Sequence, residues 1–159
     1  MRPHWEILAS LINNNSYTVA AEIGVRNGEN ACNILRLCPN LSKIYLIDID
    51  MGVFDYGRFH NYIHRYELIN KSSIEAAKVT PNELDLVFVD AEHAYLAVKE
   101  DITAWYPKIR TGGTICGHDY GTIHGCSEVK RGVDEMFSSV STEPDILENG
   151  EIKVWWVKK

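Results

Sequence analysis

The residues Leu84 to Val89 are apolar at every position but Asp85, and the run ends at Asp90. A strand with one wet face alternates apolar and polar side chains. An unbroken apolar run of this length is the pattern of a strand covered on both faces, the habit of central strands in parallel sheets. Parallel neighbours cannot be joined by a tight turn, so the flanking chain must supply crossover helices. Apolar residues at helical spacing predict them over His4 to Asn13 (Trp5, Leu8, Leu11, Ile12) and over Glu29 to Leu37 (Ala31, Ile34, Leu35, with Pro39 as the stop). Two more are predicted over Glu92 to Ile109 (Tyr95, Val98, Ile102, Trp105, Tyr106, Ile109) and Ser127 to Val140 (Val129, Val133, Met136, Phe137, Val140). Further strands are expected at Thr18 to Ile23, Lys43 to Ile47, Tyr66 to Ile69, Thr114 to Cys116 and Ile152 to Val157, the last paired with a segment near Asp145 to Leu147. Thr111-Gly112-Gly113 reads as a turn, Ser73 to Lys78 as a helical turn, and Met51 to Arg65 as a loop with a short helix. Strands alternating with helices define βαβ units, hence an α/β fold with a mostly parallel sheet.

The 159 residues suffice for one domain, residues 1–159, with a substantial core. The formal net charge of −6 argues against a nucleic-acid backbone as partner. No apolar run approaches the ~20 residues that a membrane span requires. Cys32, Cys38, Cys116 and Cys126 form no C-x-x-C pair, and no signal peptide is recognisable. Free, mostly buried thiols in a reducing, cytoplasmic setting are therefore expected.

Open α/β sheets bind ligands beyond the carboxyl ends of their strands. The residues that matter are then Glu22 to Gly28, Asp48, Ser72-Ser73, Asp90 to His93 and His118-Asp119. The first turn, Glu22-Ile23-Gly24-Val25-Arg26-Asn27-Gly28, has two glycines that let backbone approach a ligand. It lacks the middle glycine of the G-x-G-x-x-G dinucleotide pattern, and Glu22 would repel a pyrophosphate while suiting an ammonium group. Asp48 stands 24 residues beyond Gly24, where an acidic group can accept both hydroxyls of a ribose.

The stretch VAAEIGVRNGEN resembles the E-x-G-x-x-x-G motif of class I S-adenosylmethionine-dependent methyltransferases. The segment LDLVFVDAEHAYLAVKEDITAWYPKIRTGGTICGHDY, followed by EVKRGVDEMF and VWWVKK, resembles the small-molecule O-methyltransferase-like branch, and the likeness runs from about Val19 to the end of the chain. It implies a Rossmann-like, doubly wound sheet of seven strands, the last antiparallel, with helices on both faces. It also implies S-adenosylmethionine held by Glu22, Gly24, Arg26 and Gly28, with Asp90 beside it, Asp48 on the ribose, and Ser72-Ser73 near the adenine. Many relatives carry Asp where Ser72 stands.

Some relatives bind a divalent cation after the fourth and fifth strands, which places Asp90, His118 and Asp119 as ligands here. Two carboxylates and an imidazole would suit Mn, Fe or Zn as well as Mg. Glu92 matches a general-base position, and His93 is equally available. The expected chemistry is an in-line methyl transfer to the oxygen of a small-molecule acceptor. His60, His64 and His124 read as surface residues, and Phe54, Tyr56, Phe59, Tyr62 and Tyr66 as core or lid packing. The short segment before the first strand leaves the acceptor open: large, covered by a partner subunit in a homo-oligomer, or absent. The rival readings are a nicotinamide-dependent oxidoreductase and a non-catalytic nucleoside-binding module.

Overall fold

The computed structural model describes residues 1–123, 125–147 and 150–159. The elements are α1 (His4–Asn14), β1 (Val19–Ile23), α2 (Glu29–Leu37), β2 (Lys43–Asp48), β3 (Tyr66–Asn70), α3 (Ser73–Val79), β4 (Leu84–Val89), α4 (Tyr95–Trp105), β5 (Ile109–Tyr120), α5 (Cys126–Met136), β6 (Ser141–Pro144) and β7 (Lys153–Lys158). Two 3-10 turns, Tyr56–Tyr62 and Tyr106–Lys108, lie between them. The seven strands form one sheet in the order β3-β2-β1-β4-β5-β7-β6. The first five are parallel to one another, and β7 inserts antiparallel between β5 and β6.

All six residues of β4 are buried, as the apolar run implies. The pleat sends Leu86 and Phe88 to one face, where they meet Ile7, Leu8 and Ile12 of α1 and Ile34 and Leu35 of α2. Val87 and Val89 face the other way, into Val98, Ile102 and Trp105 of α4 and Val129 and Val133 of α5. The one polar residue in the run, Asp85, is also buried, and it is satisfied four times. It accepts from Thr18 N at 2.6 Å, Val19 N at 2.9 Å, Thr18 Oγ1 at 3.1 Å and Arg110 Nε at 2.5 Å. The carboxylate thus ties β1, β4 and β5 together at their amino-terminal ends. Asp85→Ala orphans these donors, and chemical denaturation should show a loss of about 2–4 kcal/mol.

Three sequence expectations are corrected. Thr111-Gly112-Gly113 is not a turn but part of β5, because the chain end lies alongside it: Gly112 N donates to Lys159 O at 2.8 Å and Lys159 N to Gly113 O at 2.9 Å. Glycines hide such a strand, having no side chains to show its period. The partner of β7 is Ser141–Pro144 rather than Asp145 to Leu147. An edge strand of polar residues carries no apolar alternation, and Asp145 instead makes a single bridge to Arg2. The helix expected from Glu92 begins only at Tyr95, leaving Glu92 and His93 in a loop. The aromatic segment is core packing, with Phe54 and Phe59 buried and their ring centroids 4.8 Å apart, although Tyr56 is exposed. His60 and His64 are exposed, as expected; His124 lies outside the described residues.

Candidate functional site

The strand order changes direction between β1 and β4, and a cleft of about 910 Å³ opens at their carboxyl ends. Its walls are the β1–α2 loop, Asp48 and Ile49, Ser72 and Ser73, the loop from Asp90 to His93, and His4, Trp5 and Leu147.

The β1–α2 loop is shaped by Gly24 and Gly28, at φ of +87° and +81°. A Cβ on Gly24 would lie 2.1 Å from the main-chain oxygen of Asp90, and one on Gly28 would lie 2.6 Å from the Phe59 ring. Both glycines therefore permit a close approach as well as a left-handed backbone. Gly24→Ala should cost at least about 3 kcal/mol in a thermal or denaturant melt, since rigid backbone would have to move.

Glu22, next to last in β1, lies on the cleft floor and is 2% exposed. Its Oε2 has no hydrogen-bond partner, and neither does the side-chain oxygen or nitrogen of Asn30. Burial pushes the Glu22 carboxyl up to about 8; the nearby Asn30 amide tempers the rise, and the charges of Asp90 and Asp48 add to it. Buried polar atoms without partners are rare and costly. Here three of them border one cleft, in the place where the first strand turns into a helix. Asn30 carried no sequence signal beyond its position two residues after Gly28.

Asp48 reaches the same cleft from β2. Its Oδ2 accepts from Val25 N at 2.9 Å and Arg26 N at 2.8 Å, and its Oδ1 accepts from Asp50 N at 3.0 Å. The carboxylate thus holds the glycine loop in place while lining the cavity. The Arg26 side chain points to solvent, so only its backbone takes part. Ser72 caps α3, donating to Glu75 Oε2 at 2.9 Å, and Ser73 Oγ accepts from the buried Trp105 Nε1 at 2.9 Å. Both serines face the cleft with a structural task already in hand.

At the other end Asp90, His93, His118 and Asp119 converge. Asp119 Oδ2 lies 3.0 Å from His93 Nε2 and 3.4 Å from His118 Nδ1. Asp119 has φ +56°, a left-handed conformation that turns its carboxylate toward both rings. Donors from Asp90, His118 and Asp119 lie within 4.8 Å of one another. Burial pushes the Asp90 carboxyl up to about 7, opposed by the His118 charge and reinforced by Asp119 beside it. Burial would raise Asp119 too, but hydrogen bonds from His118 and His93 outweigh it and hold this group well below the carboxylate range. His118 is lifted to about 9: burial lowers it, and Asp119, Asp90 and Asp145 more than compensate. His93 is raised, chiefly by its hydrogen bond to Asp119. Glu92 is exposed and turned back on its own loop, its Oε1 accepting from His93 N at 3.0 Å and Ala94 N at 3.3 Å.

The predicted site residues other than Gly28 therefore border one continuous region, with Ser72 and Ser73 at one end and Asp119 at the other, while Gly28 packs behind the loop against Phe54 and Phe59. Sequence reasoning missed His4, Asn30 and Asp145.

A profile described as a methyltransferase domain matches residues 21–120, from the glycine loop through the end of β5. The chain belongs to that family. Among solved structures, the fold is shared with an O-methyltransferase from Bacillus cereus in complex with S-adenosylhomocysteine (TM-score 0.77, 13% identity, 98% of this chain and 80% of that one). It is shared also with the O-methyltransferase TomG from Streptomyces achromogenes in complex with S-adenosylmethionine (TM-score 0.75, 15% identity, 98% and 79%). A third match is a provisionally described rRNA methylase from Clostridium thermocellum (TM-score 0.75, 14% identity, 100% and 98%). No curated protein matches the chain. No helix among the described residues is long and apolar enough to cross a membrane.

Proposed function

We propose that the chain transfers a methyl group from S-adenosylmethionine to the oxygen of a small-molecule acceptor. The observation that carries this reading is the buried Glu22 carboxyl, its Oε2 without a hydrogen-bond partner and the Asn30 carboxamide beside it, at the floor of a cleft large enough for a nucleoside. A carboxyl and a carboxamide in that state call for a ligand with an ammonium group and further polar atoms. The backbone at Gly24 supports the same fit, since a Cβ there would run into Asp90 and Ala91 of the cleft wall. The O-methyltransferase neighbours bound to S-adenosylmethionine and S-adenosylhomocysteine lend the reading further support.

In this reading Glu22 and Asn30 receive the amino-acid end, the Gly24–Gly28 backbone lies along the ligand, and Asp48 takes the ribose hydroxyls. Ser72 and Ser73 border the adenine. When bound, S-adenosylmethionine supplies a methyl made electrophilic by its sulfonium. The protein supplies proximity, alignment and a deprotonated acceptor. His93 is better placed than Glu92 to remove that proton. Its ring is oriented by Asp119 and half open to solvent, whereas the Glu92 carboxylate is occupied by backbone donors. The raised affinity of His93 for a proton makes it a stronger base once it is free.

Asp90, His118 and Asp119 fit a divalent cation in donor type and spacing. Such an ion, Mg or Mn, would lower the pKa of an acceptor oxygen and orient it. The test is transfer of labelled methyl from S-adenosylmethionine to a panel of catechols and phenols, with and without Mg or Mn. Labelled product supports the reading. Tight S-adenosylhomocysteine binding with no transfer to any acceptor would leave a nucleoside-binding module.

A further inference from the structure

His4, His118 and Asp145 come together from α1, from β5 and from the turn after β6, with donor atoms within 4.8 Å of one another. Asp145 Oδ2 is 2.8 Å from His4 Nδ1 and 3.1 Å from His118 Nε2. The two rings lean together with centroids 4.9 Å apart. Four ligands around an ion at 2.0–2.1 Å are separated by roughly 3.3 Å in a tetrahedron. The two histidine–carboxylate distances, 2.8 and 3.1 Å, fall about 0.5 and 0.2 Å inside that edge, so a modest spreading of the three groups admits an ion.

The surroundings are built to hold these donors. Asp145 is fully buried, and its other oxygen accepts from Leu147 N at 2.9 Å. His118 turns Nε2 to Asp145 Oδ2 at 3.1 Å and its second nitrogen, Nδ1, to Asp119, so an ion bound at Nε2 would take the place of the proton held between that nitrogen and Asp145. A carboxylate behind a metal-binding histidine is the usual way of fixing its tautomer and raising its basicity. The segment that carries His4 is stitched to the Asp145 turn: Arg2 pairs with Glu143 at 2.8 Å, and Ile146 N donates to Arg2 O at 3.2 Å.

We propose that His4 Nδ1, His118 Nε2 and Asp145 Oδ2 form a site for a borderline divalent transition-metal ion, with Zn the simplest occupant. Two imidazoles and one carboxylate match that class and not Mg or Ca, which favour oxygen throughout. Three protein donors leave one place for water or another oxygen ligand. The ion would clip the start of α1 to the β6–β7 connection. Both His4 and Leu147 border the large cleft, so the clip would stiffen one of its walls. The site differs from the cation position at Asp90 and Asp119, which faces the opposite nitrogen of His118. It does not depend on the methyl-transfer reading.

Co(II), a spectroscopic stand-in for Zn, tests the assignment on the purified, metal-stripped chain. Titration should produce the visible bands of a tetrahedral site at a stoichiometry of about one, reversed by Zn and indifferent to excess Mg. His4→Ala and Asp145→Asn should weaken binding by ~100-fold or more, beyond the loss expected for a group that merely supports a ligand. Asp90→Asn should keep the tetrahedral Co(II) bands, since that carboxylate belongs to the other cation position. Thermal melts without metal confirm that each variant folds. Should His4→Ala be too unstable, His4→Gln keeps a hydrogen-bond donor for Asp145 while removing the imidazole. Zn should raise the melting temperature of the parent and not of the His4 variants. Co(II) binding that survives loss of His4 but not of Asp90 would overturn the proposal, as would no binding at about 100 micromolar, equivalent to about 5.5 kcal/mol of affinity.

Discussion

Glu22→Gln should weaken binding of S-adenosylhomocysteine by about 10²-fold or more and, at the same time, stabilise the ligand-free protein. The two effects have one cause. Glu22 Oε2 is buried on the cleft floor without a partner, and burial raises its carboxyl to about 8. A carboxyl whose pKa is raised by folding holds its proton more tightly in the folded chain. Its contribution is fully present below the unfolded value of about 4.5 and is lost as pH rises through about 8. Above that pH the wild-type fold carries a buried charge that glutamine does not. The melting temperature of Glu22→Gln should therefore match wild type near pH 5 and exceed it by roughly 5 °C or more at pH 8.5. A residue that served only the fold would instead lower stability when replaced. The affinity loss reflects removal of the charge that would meet the ligand's ammonium. Melts across pH, paired with calorimetry, read both.

The second large effect belongs to Asp90. Asp90→Asn should cut methyl transfer by about 10²–10³-fold while leaving S-adenosylhomocysteine affinity within about threefold. The expected separation comes from geometry. The main-chain oxygen of Asp90 packs against Gly24 and forms part of the cleft wall, and asparagine leaves that backbone as it is. The side chain belongs to the other cluster, with His118 and Asp119, where it would help hold a cation and set the charge around the acceptor. Kinetics on an acceptor found in the labelled screen, beside a binding isotherm, distinguish the outcomes. Parallel loss of binding and turnover would make Asp90 a structural residue.

Much of this region could be read from the residues because local chemistry and global topology agree there. The apolar run of β4 announces burial on both faces, and burial on both faces places Asp90 at the sheet's carboxyl edge. Glu22, Gly24 and Asp48 follow by the same logic, since each sits where a strand of a parallel sheet stops, and Gly28 marks the start of the helix that follows. What escaped was decided by distant contacts. Gly112 and Gly113 extend β5 only because the last residue, Lys159, pairs with them. Asp145 looked like part of a strand, yet its carboxylate is claimed by two imidazoles, one from α1 and one from β5. Asn30 resembles any helix residue until its neighbour Glu22 is seen without a partner. Glu92 had a plausible place in a helix, and its own loop amides took it instead.

The most direct test of the central claim is calorimetric titration of the wild-type protein with S-adenosylhomocysteine at pH 7, repeated in two buffers of different ionisation heat. The account predicts micromolar or tighter binding with release of about one proton per ligand, because an ammonium beside Glu22 drives off the proton that burial holds there. The same titration of Glu22→Gln should release almost none. Absence of binding, or binding with no buffer dependence, would contradict the assignment of Glu22 and its cleft to the methyl donor.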